Sequence, residues 1–177
     1  PGPITLEQMF NVFPFENSIT LIYLSGSEIQ ETLDFVARKS SERGCRAQAQ
    51  VAGITFDMVC SGDCPGGARA CARNVSLGDD CRGGDPNGPI DTQLCAPLEP
   101  IGLYKVAVND YIARGGSGFD VLKRNTSKQF TSISLRDALV DYMRQQVACS
   151  EDIIDISDPD RDTVRERWGA VACLNST

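Results

Sequence analysis

Histidine is absent from the 177-residue sequence. Histidine is the usual general base near neutral pH and the commonest metal ligand, so its absence excludes a Ser-His-Asp triad and any metal site built on imidazole. Paired carboxylates remain among Glu151, Asp152 and Asp155, but a run of acidic residues is more often a solvated surface than an acid–base pair. We therefore expect the chain by itself to be catalytically silent.

A basic cluster is also lacking, since 17 Lys and Arg residues stand against 24 Asp and Glu residues, a formal net charge of −7. Nucleic-acid affinity comes mostly from basic residues, so a nucleic-acid partner is excluded. No apolar run approaches the ~20 residues that span a bilayer, and no basic-then-apolar signal segment opens the chain, so no membrane span is predicted. The opening at Pro1, without a starting methionine, suggests a trimmed fragment of about one domain.

Cysteine, by contrast, is abundant, and the chain has eight: Cys45, Cys60, Cys64, Cys71, Cys81, Cys95, Cys149 and Cys173. One interpretation is a zinc site at Cys60, Cys64, Cys71 and Cys81, but their gaps lack the short paired spacing of zinc ribbons. An even number of cysteines scattered through Gly/Pro-rich sequence favours disulfide bonds formed in an oxidising compartment. The sequence therefore predicts eight oxidised cysteines and a secreted, periplasmic or cell-surface protein.

Hydrophobic periodicity predicts an α+β fold, a layered mixed-sheet and helix domain. Alternating or β-branched runs predict strands at 18–24, 51–58, 70–77 and 104–108. Three capping patterns predict the starts of helices: Thr5 with Gln8, Ser27 with Gln30, and Ser134 with Asp137. The second helix should run to about Ser40 and the third to about Gln146.

Residues 59–97 differ from their surroundings, because cysteine, glycine, proline and aspartate dominate there. A loop of this length inside a compact domain is normally functional or pinned, and its cysteines make pinning the simpler explanation. We predict a domain at 1–146 with this disulfide-rich insertion, followed by a tail at 147–177. The tail should hold a short helix beginning near Asp158 and be pinned by a Cys149–Cys173 disulfide, a pairing that rests on position alone.

The stretch 104–119 carries the clearest functional pattern. An alternating strand is followed by a turn at Asn109-Asp110, by one aromatic residue, Tyr111, and by a glycine loop at 115–118. Such a loop permits φ > 0 and lets a flat ligand or another backbone come close, although most glycine loops are ordinary tight turns. It is neither a GxGxxG nor a Walker loop, so a dinucleotide or nucleoside triphosphate site has no support.

Two segments, Pro14-Phe15-Glu16-Asn17 and Asn109 to Phe119, together resemble the C-terminal domain of the 5'-nucleotidase family. The resemblance covers roughly residues 1–146. It implies that Phe15 and Tyr111 each supply one aromatic face of a nucleobase sandwich. Considered alone, Phe15 would more often be a core residue, because apolar rings are usually buried.

The resemblance also identifies the rest of a candidate substrate-binding site. Asn17 would orient ligand hydroxyls or a base edge through its amide, and Gly115, Gly116 and Ser117 would form the adjoining loop. Ser117 is a departure from the family pattern, which has a ligand-contacting aspartate at this position. The nucleoside or nucleotide would therefore be held with one charged contact fewer.

A nucleoside or nucleotide is thus the implied small-molecule partner, and an N-terminal metallophosphatase domain of the same protein is the implied protein partner. Divalent metals would belong to that domain, so no cofactor is expected in this chain. The implied function is substrate binding within a secreted or periplasmic 5'-nucleotidase-like phosphoester hydrolase. The alternative is a disulfide-rich extracellular interaction module on the same fold, with degenerate ligand binding. Exposure of both Phe15 and Tyr111 in one cleft would favour binding, and burial of either would favour the module.

Overall fold

The structure, a computed structural model, describes residues 5–62, 64–78, 81–82 and 88–149, with side chains as far as residue 144. Helices and strands are interspersed along the chain, which confirms the predicted α+β fold class. Their bounds, in chain order, are α1 Leu6–Val12, β1 Ser18–Ser25, α2 Gly26–Ser41, β2 Ile54–Val59, β3 Cys71–Leu77, β4 Ala96–Pro97, β5 Leu103–Asn109, α3 Asp110–Ala113, α4 Asp120–Arg124, β6 Gln129–Ser134 and α5 Leu135–Cys149.

The strands form two three-stranded antiparallel sheets. In the first sheet β1 lies between β5 and β6, with Ile22 opposite Val106. In the second sheet β3 lies between β2 and β4, with Met58 opposite Ala72. The cysteine-rich segment thus supplies β3 and β4, so it is structured as part of a sheet rather than as a free loop.

One hydrophobic core joins the two sheets to α2. Its buried members come from β1, α2, β3 and α4, namely Ile22, Leu24, Ile29, Leu33, Ala72, Val75 and Leu122. Tyr104, Val106 and Val108 pack against this cluster from β5, as expected of one face of the predicted alternating strand. Burial of an aliphatic side chain contributes about 1.5–3 kcal/mol, so this shared core fixes both sheets relative to the candidate site.

The predicted cap of α2 at Ser27 is wrong, because Ser25 caps this helix. The Ser25 hydroxyl accepts a hydrogen bond from the Glu28 backbone, and the Glu28 carboxylate accepts one from the Ser25 backbone. The bond from the Ser25 backbone lowers the pKa of Glu28 below its ordinary value. Gly26 permits this early start, since a Cβ there would lie 2.1 Å from the carbonyl oxygen of Glu99. The helix therefore begins in a close contact between backbones that capping residues alone do not reveal.

The other predicted elements are confirmed with small shifts of their bounds. Thr5 forms the predicted capping box at the start of α1, and the Ser134 hydroxyl accepts a hydrogen bond of 3.3 Å from the Asp137 backbone. The predicted strand at 51–58 begins only at Ile54, because Gly53 has φ +77°, outside the extended region. α5 continues to Cys149 rather than stopping near Gln146. Strands β4 and β6 and helices α3 and α4 were not predicted.

Six of the cysteines form three disulfides: Cys45–Cys60, Cys64–Cys71 and Cys81–Cys95. The predicted pinning of the cysteine-rich insertion by disulfides is confirmed, and the four cysteines of the alternative zinc site are divided among three different bridges. Arg82 adds a polar tie, since its guanidinium bonds to the Asp57 carboxylate of β2 and to a backbone carbonyl of the insertion. The Cys149–Cys173 pairing and the tail helix fall outside the residues described in this detail.

No helix in the described part of the chain is both long enough and apolar enough to cross a membrane.

Candidate functional site

The glycine loop fixes the ring of Tyr111. Asn109 caps α3 by accepting a hydrogen bond of 2.8 Å from the Ile112 backbone, and Tyr111 follows in the first turn. The loop then folds back, so that the Ser117 backbone donates a hydrogen bond of 3.2 Å to the Tyr111 hydroxyl. A Cβ on Gly116 would lie 2.5 Å from the Tyr111 ring, which therefore lies directly against the bare backbone. The ring is positioned by its own loop rather than by the core.

The neighbouring glycines are each required for a different reason. Gly115 has φ +93°, and a Cβ there would lie 2.9 Å from Cβ of Lys123. Gly118 has φ +87° and faces the Phe35 ring, which packs edge-on against Phe119 with ring centroids 5.0 Å apart. The loop is thus anchored to α2 and α4 and holds one conformation. Ser117 has φ +56°, the left-handed region that aspartate and asparagine tolerate best after glycine.

Asn17 is tied to the start of the same loop through Asp110. Its amide nitrogen donates a hydrogen bond of 3.1 Å to Asp110 Oδ1, which also accepts one of 3.1 Å from the Ser18 backbone. The bond from Asn17 contributes most to holding the pKa of Asp110 below its ordinary value of 3.8, and the Ser18 backbone and Arg114 act in the same direction. Within the described residues the amide oxygen of Asn17 has no hydrogen-bond partner, so it remains available as an acceptor for a ligand.

The segment that carries Phe15 is held at both ends. Beyond it, the Asn17 carbonyl accepts a hydrogen bond of 3.0 Å from the Leu135 backbone. Before it, the buried guanidinium of Arg136 donates bonds of 3.2 and 2.8 Å to the Phe13 carbonyl. The same guanidinium lies 3.8 Å from the centroid of the Phe10 ring, a cation–π contact. Phe15 therefore projects from a fixed backbone.

Both candidate stacking rings are exposed to solvent. Phe15 is 76% exposed and Tyr111 is 53% exposed, so neither is a core residue. An apolar ring held in water by a fixed backbone keeps its faces available for stacking, whereas a buried ring does not. The structure thus brings the Asn17 segment to the Tyr111 loop and leaves one ring on each segment accessible.

Three residues of this region were not singled out from the sequence: Asp110, Arg136 and Arg114. Asp110 connects the two segments, and Arg136 fixes the Phe15 segment from α5. Arg114 is 64% exposed and lies 4.3 Å from the centroid of the Phe130 ring. The Asn-Asp pair at 109–110 could have indicated the role of Asp110, because the side chains of such residues commonly bond to nearby backbone groups. Arg136 carried no comparable sequence pattern.

A cavity of about 300 Å³ lies elsewhere, between α2 and the segment that precedes β5. It is lined by α2 side chains that include Gln30 and Asp34, and by Leu98 and Pro100. Gln30 and Asp34 already bond to each other and to the Ala72 backbone, so they act as structural ties between α2 and β3. The candidate stacking rings do not line this cavity.

Possible metal ligands were compared across the described residues. Within them no three Cys, Asp or Glu side chains converge to hold an ion. The cysteines that could have done so are bonded to one another. What the arrangement can do chemically is to stack on a flat ligand and to accept or donate hydrogen bonds at its edges.

Residues 1–124 match the family model "5'-nucleotidase, C-terminal domain". This chain belongs to that family. The predicted membership is thus confirmed, and the matched range includes both segments of the candidate site.

Known relatives agree with this assignment. An apyrase of Tabanus yao is 26% identical over 81% of the chain, and a snake venom 5'-nucleotidase of Crotalus adamanteus is 30% identical over 81%. The crystal structure of a 5'-nucleotidase precursor from Thermus thermophilus is 27% identical and superimposes on 82% of the chain with a TM-score of 0.62. The chain spans about a quarter of the length of these proteins, 24%, 22% and 25% respectively.

Proposed function

We propose that this chain is the substrate-binding domain of a secreted or periplasmic 5'-nucleotidase-like phosphoester hydrolase. It holds the nucleoside part of the substrate between Phe15 and Tyr111, with Asn17 contacting a hydroxyl or a base edge. The partner that cleaves the phosphoester is a metallophosphatase domain of the same protein, which carries the divalent metals. The part proposed for this chain is to bind and orient the substrate.

The observation that carries the proposal is the link between Asn17 and Asp110. It holds together two segments 93 residues apart in sequence, and each segment presents an exposed aromatic ring. An exposed ring gives up few contacts within the protein when it binds a base, and stacking on the base contributes roughly 1–3 kcal/mol. Stacking of this kind is tolerant of base identity, so the site selects nucleosides as a class.

The three disulfides support the proposed compartment, because such bridges persist where the environment is oxidising. A venom protein stands among the relatives, which agrees with secretion.

The expected affinity of the isolated chain is low. Ser117 offers a neutral hydroxyl where a carboxylate would form bonds about twice as strong. We expect nucleoside binding no tighter than about 1 mM, or roughly 4 kcal/mol.

A titration of the 177-residue chain with adenosine, followed by NMR, tests the proposal. Shifts should be confined to Phe15, Asn17 and residues 111–119. Tyr111→Ala should weaken binding several-fold, since it removes one stacking face. Tyr23→Ala is the matched control, because this tyrosine is similarly exposed, 43%, but lies on β1 opposite Lys105. Saturating adenosine with no shifts at these positions would contradict the proposal.

Two observations favour a second candidate, a disulfide-rich interaction module without a ligand. Ser117 replaces the aspartate of the family pattern, and the cysteine-rich segment adds strands of a separate sheet. The adenosine titration separates the two, since a module predicts no shifts around Tyr111. A test of activity is complementary: the purified chain should show no metal-dependent turnover of a nucleotide, whichever candidate is correct.

A further inference from the structure

The cavity between α2 and the segment before β5 has walls that are fixed on both sides. On one side, the Leu98 backbone donates a hydrogen bond of 3.0 Å to the Val75 carbonyl of β3. On the other, the Ser27 backbone and hydroxyl donate bonds of 2.9 and 3.1 Å to the Pro100 carbonyl, which ties the start of α2 to the opposite wall. Pockets for small molecules are usually formed before the ligand binds. This cavity meets that condition, because backbone hydrogen bonds hold its walls.

Two opposite charges of α2, Asp34 and Arg38, line this cavity. They are four residues apart, so they lie on the same face of the helix with about 6 Å of helical rise between them. An acidic and a basic residue at this spacing commonly form an ion pair. Within the described residues, however, no ion pair joins Asp34 to Arg38. Each charge is therefore open to another partner.

The Asp34 carboxylate is held in place by contacts with neutral groups. Its Oδ1 accepts a hydrogen bond of 2.8 Å from the Ala72 backbone of β3 and one of 3.0 Å from the Gln30 amide. Gln30 donates in turn to the Ala72 carbonyl at 2.9 Å, so the carboxylate is tied to β3 twice. These donors carry no formal charge and leave the negative charge of Asp34 without a cation. In the part of the chain that the structure describes, its Oδ2 has no hydrogen-bond partner.

The Arg38 guanidinium is free in the same sense, since no acceptor among the described residues lies within hydrogen-bond distance of it. The neighbouring charges of α2 are paired instead. Glu31, which also lines the cavity, pairs with Arg124 at 2.8 Å. Lys39 pairs with Glu42 at 3.9 Å. Arg38 thus presents a planar set of donors, which arginine uses to bind both oxygens of a carboxylate through two parallel bonds.

We propose that this cavity binds a free α-amino acid with an apolar side chain. The ammonium group of the ligand pairs with Asp34, and its carboxylate pairs with Arg38. Its side chain packs against Leu98 and Pro100. A simple anion or cation would leave one of the two charges of the cavity unpaired, whereas a zwitterion pairs both. The volume of about 300 Å³ lies at the lower end of the range for ligand pockets, which favours one small molecule over a peptide.

Three probes of the same shape separate the two charges: L-leucine, leucinamide, which lacks the carboxylate, and 4-methylpentanoate, which lacks the ammonium group. Each is titrated into the 177-residue chain and followed by NMR. L-leucine should shift the signals of lining residues such as Ser27 and Leu98. It should bind about fivefold more tightly than either analogue, the gain expected of one exposed charge-assisted contact. That difference should shrink as salt rises from about 0.05 to about 0.5 M.

Two variants remove the charges one at a time. Arg38 is exposed, so Arg38→Gln should leave the fold intact and reduce the affinity for L-leucine to that for leucinamide. In Asp34→Asn the amide oxygen can still accept the bonds from Ala72 and Gln30, and the affinity for L-leucine should fall to that for 4-methylpentanoate. Lys39→Gln is the matched control, because Lys39 carries the same charge at the next position of α2 but does not line the cavity. This variant should bind L-leucine as the wild type does.

Equal affinity of the wild-type protein for the three probes would overturn the inference, as would the absence of any shift with L-leucine. Equal losses in Arg38→Gln and Lys39→Gln would also overturn it, because they would indicate a general effect of net charge. Shifts centred on residues 111–119 would assign L-leucine to the candidate base site and reject the cavity. None of these outcomes replaces the adenosine titration, so the inference and the proposed function can fail separately.

Discussion

The Asn17 amide donates a hydrogen bond of 3.1 Å to the Asp110 carboxylate, and this bond connects the side chains of the two segments on which the candidate site is built. The same carboxylate oxygen accepts the backbone N–H of Ser18 at 3.1 Å. One side chain thus fixes both the entry to β1 and the start of α3. Asp110 is a structural support for the site, and its effect on stability should depend on its charge.

Asp110→Asn should lower the free energy of unfolding by about 1 kcal/mol near pH 7, the difference between hydrogen bonds to charged and to neutral acceptors. The pKa of Asp110 is lowered in the folded state from its ordinary value of 3.8, chiefly by the bond from Asn17. A lowered pKa means that the stabilisation is present above 3.8 and is lost as the pH falls through the folded-state pKa. Denaturant titrations at several pH values should therefore show the wild type and the variant converging in acid.

Asp141→Asn is the control for this experiment. Asp141 lies 3.4 Å from Arg144 on α5, and both side chains are largely exposed. Exposed pairs of this kind contribute little, so this variant should change stability by less than about 0.5 kcal/mol at any pH. A difference between wild type and Asp110→Asn that stays constant down to strongly acidic pH would contradict the assigned role of the carboxylate.

Gly116→Ala should displace the Tyr111 ring without unfolding the protein. Gly116 does not have a left-handed φ, so alanine fits its backbone, but the new Cβ would lie 2.5 Å from the ring. Because Tyr111 is 53% exposed, the ring can turn into solvent at little cost. Adenosine affinity should fall about as far as in Tyr111→Ala, roughly fivefold or more.

A matched control uses the other glycine that faces a tyrosine. A Cβ on Gly102 would lie 2.5 Å from the Tyr104 hydroxyl, which accepts a hydrogen bond of 3.1 Å from the Glu99 backbone. Tyr104 packs against the core, so Gly102→Ala should cost stability but leave adenosine affinity unchanged. Adenosine affinity in Gly116→Ala equal to that of the wild type would mean that the Tyr111 ring does not contact the base.

Sequence patterns located the two site segments because each is marked by local chemistry. The alternation of β5 and the glycines of the loop follow from short-range sterics, and the structure confirms both. The exposure of Phe15 did not follow from its type, since a phenylalanine near Phe10 and Phe13 more often belongs to a core. The backbone just before it is held by Arg136, which lies more than a hundred residues away and bonds to the Phe13 carbonyl.

The elements that were not predicted from the sequence are either very short or depend on contacts with residues far away in the chain. Strand β4 is two residues long and contains Pro97, so no alternation marks it. Strand β6 contains residues that favour strands, Phe130, Thr131 and Ile133. Its sheet partner is β1, however, which lies far away in sequence, so the pairing could not be predicted locally. The start of α2 moved by two residues because Gly26 contacts the Glu99 backbone, a neighbour that only the folded chain supplies.

Ser117→Asp should strengthen nucleoside binding. Ser117 has φ +56° and ψ +17°, a conformation that aspartate tolerates well, so the fold should not be strained. A carboxylate at this position can accept charge-assisted hydrogen bonds from ligand hydroxyls, and an improvement of about tenfold in Kd is expected. Ser117→Asn, which has nearly the same shape without the charge, should give a smaller gain. Calorimetry with adenosine measures the affinity of both variants. An aspartate variant that binds adenosine no better than the wild type would mean that residue 117 does not contact the ligand.

The Cys45–Cys60 disulfide should be the first of the three to be reduced under native conditions. Cys45 is exposed, whereas Cys64, Cys71, Cys81 and Cys95 are all at most 8% exposed. Thiol–disulfide exchange requires access of the attacking thiolate to a sulfur, so burial protects the other two bridges. Stepwise treatment with dithiothreitol, followed by alkylation and mass mapping, should label Cys45 and Cys60 first.

Loss of this bridge should cost stability but spare the candidate site. Cys45–Cys60 closes a loop with a sequence separation of 15, for which chain entropy predicts about 3 kcal/mol. It joins the end of α2 to the end of β2, while Phe15 and Tyr111 are held by bonds around the first sheet. The double variant Cys45→Ser with Cys60→Ser should therefore unfold at lower denaturant concentration and still show the wild-type shifts with adenosine. Simultaneous labelling of all six cysteines of these three bridges at the lowest dithiothreitol concentration would indicate instead that reduction proceeds through global unfolding.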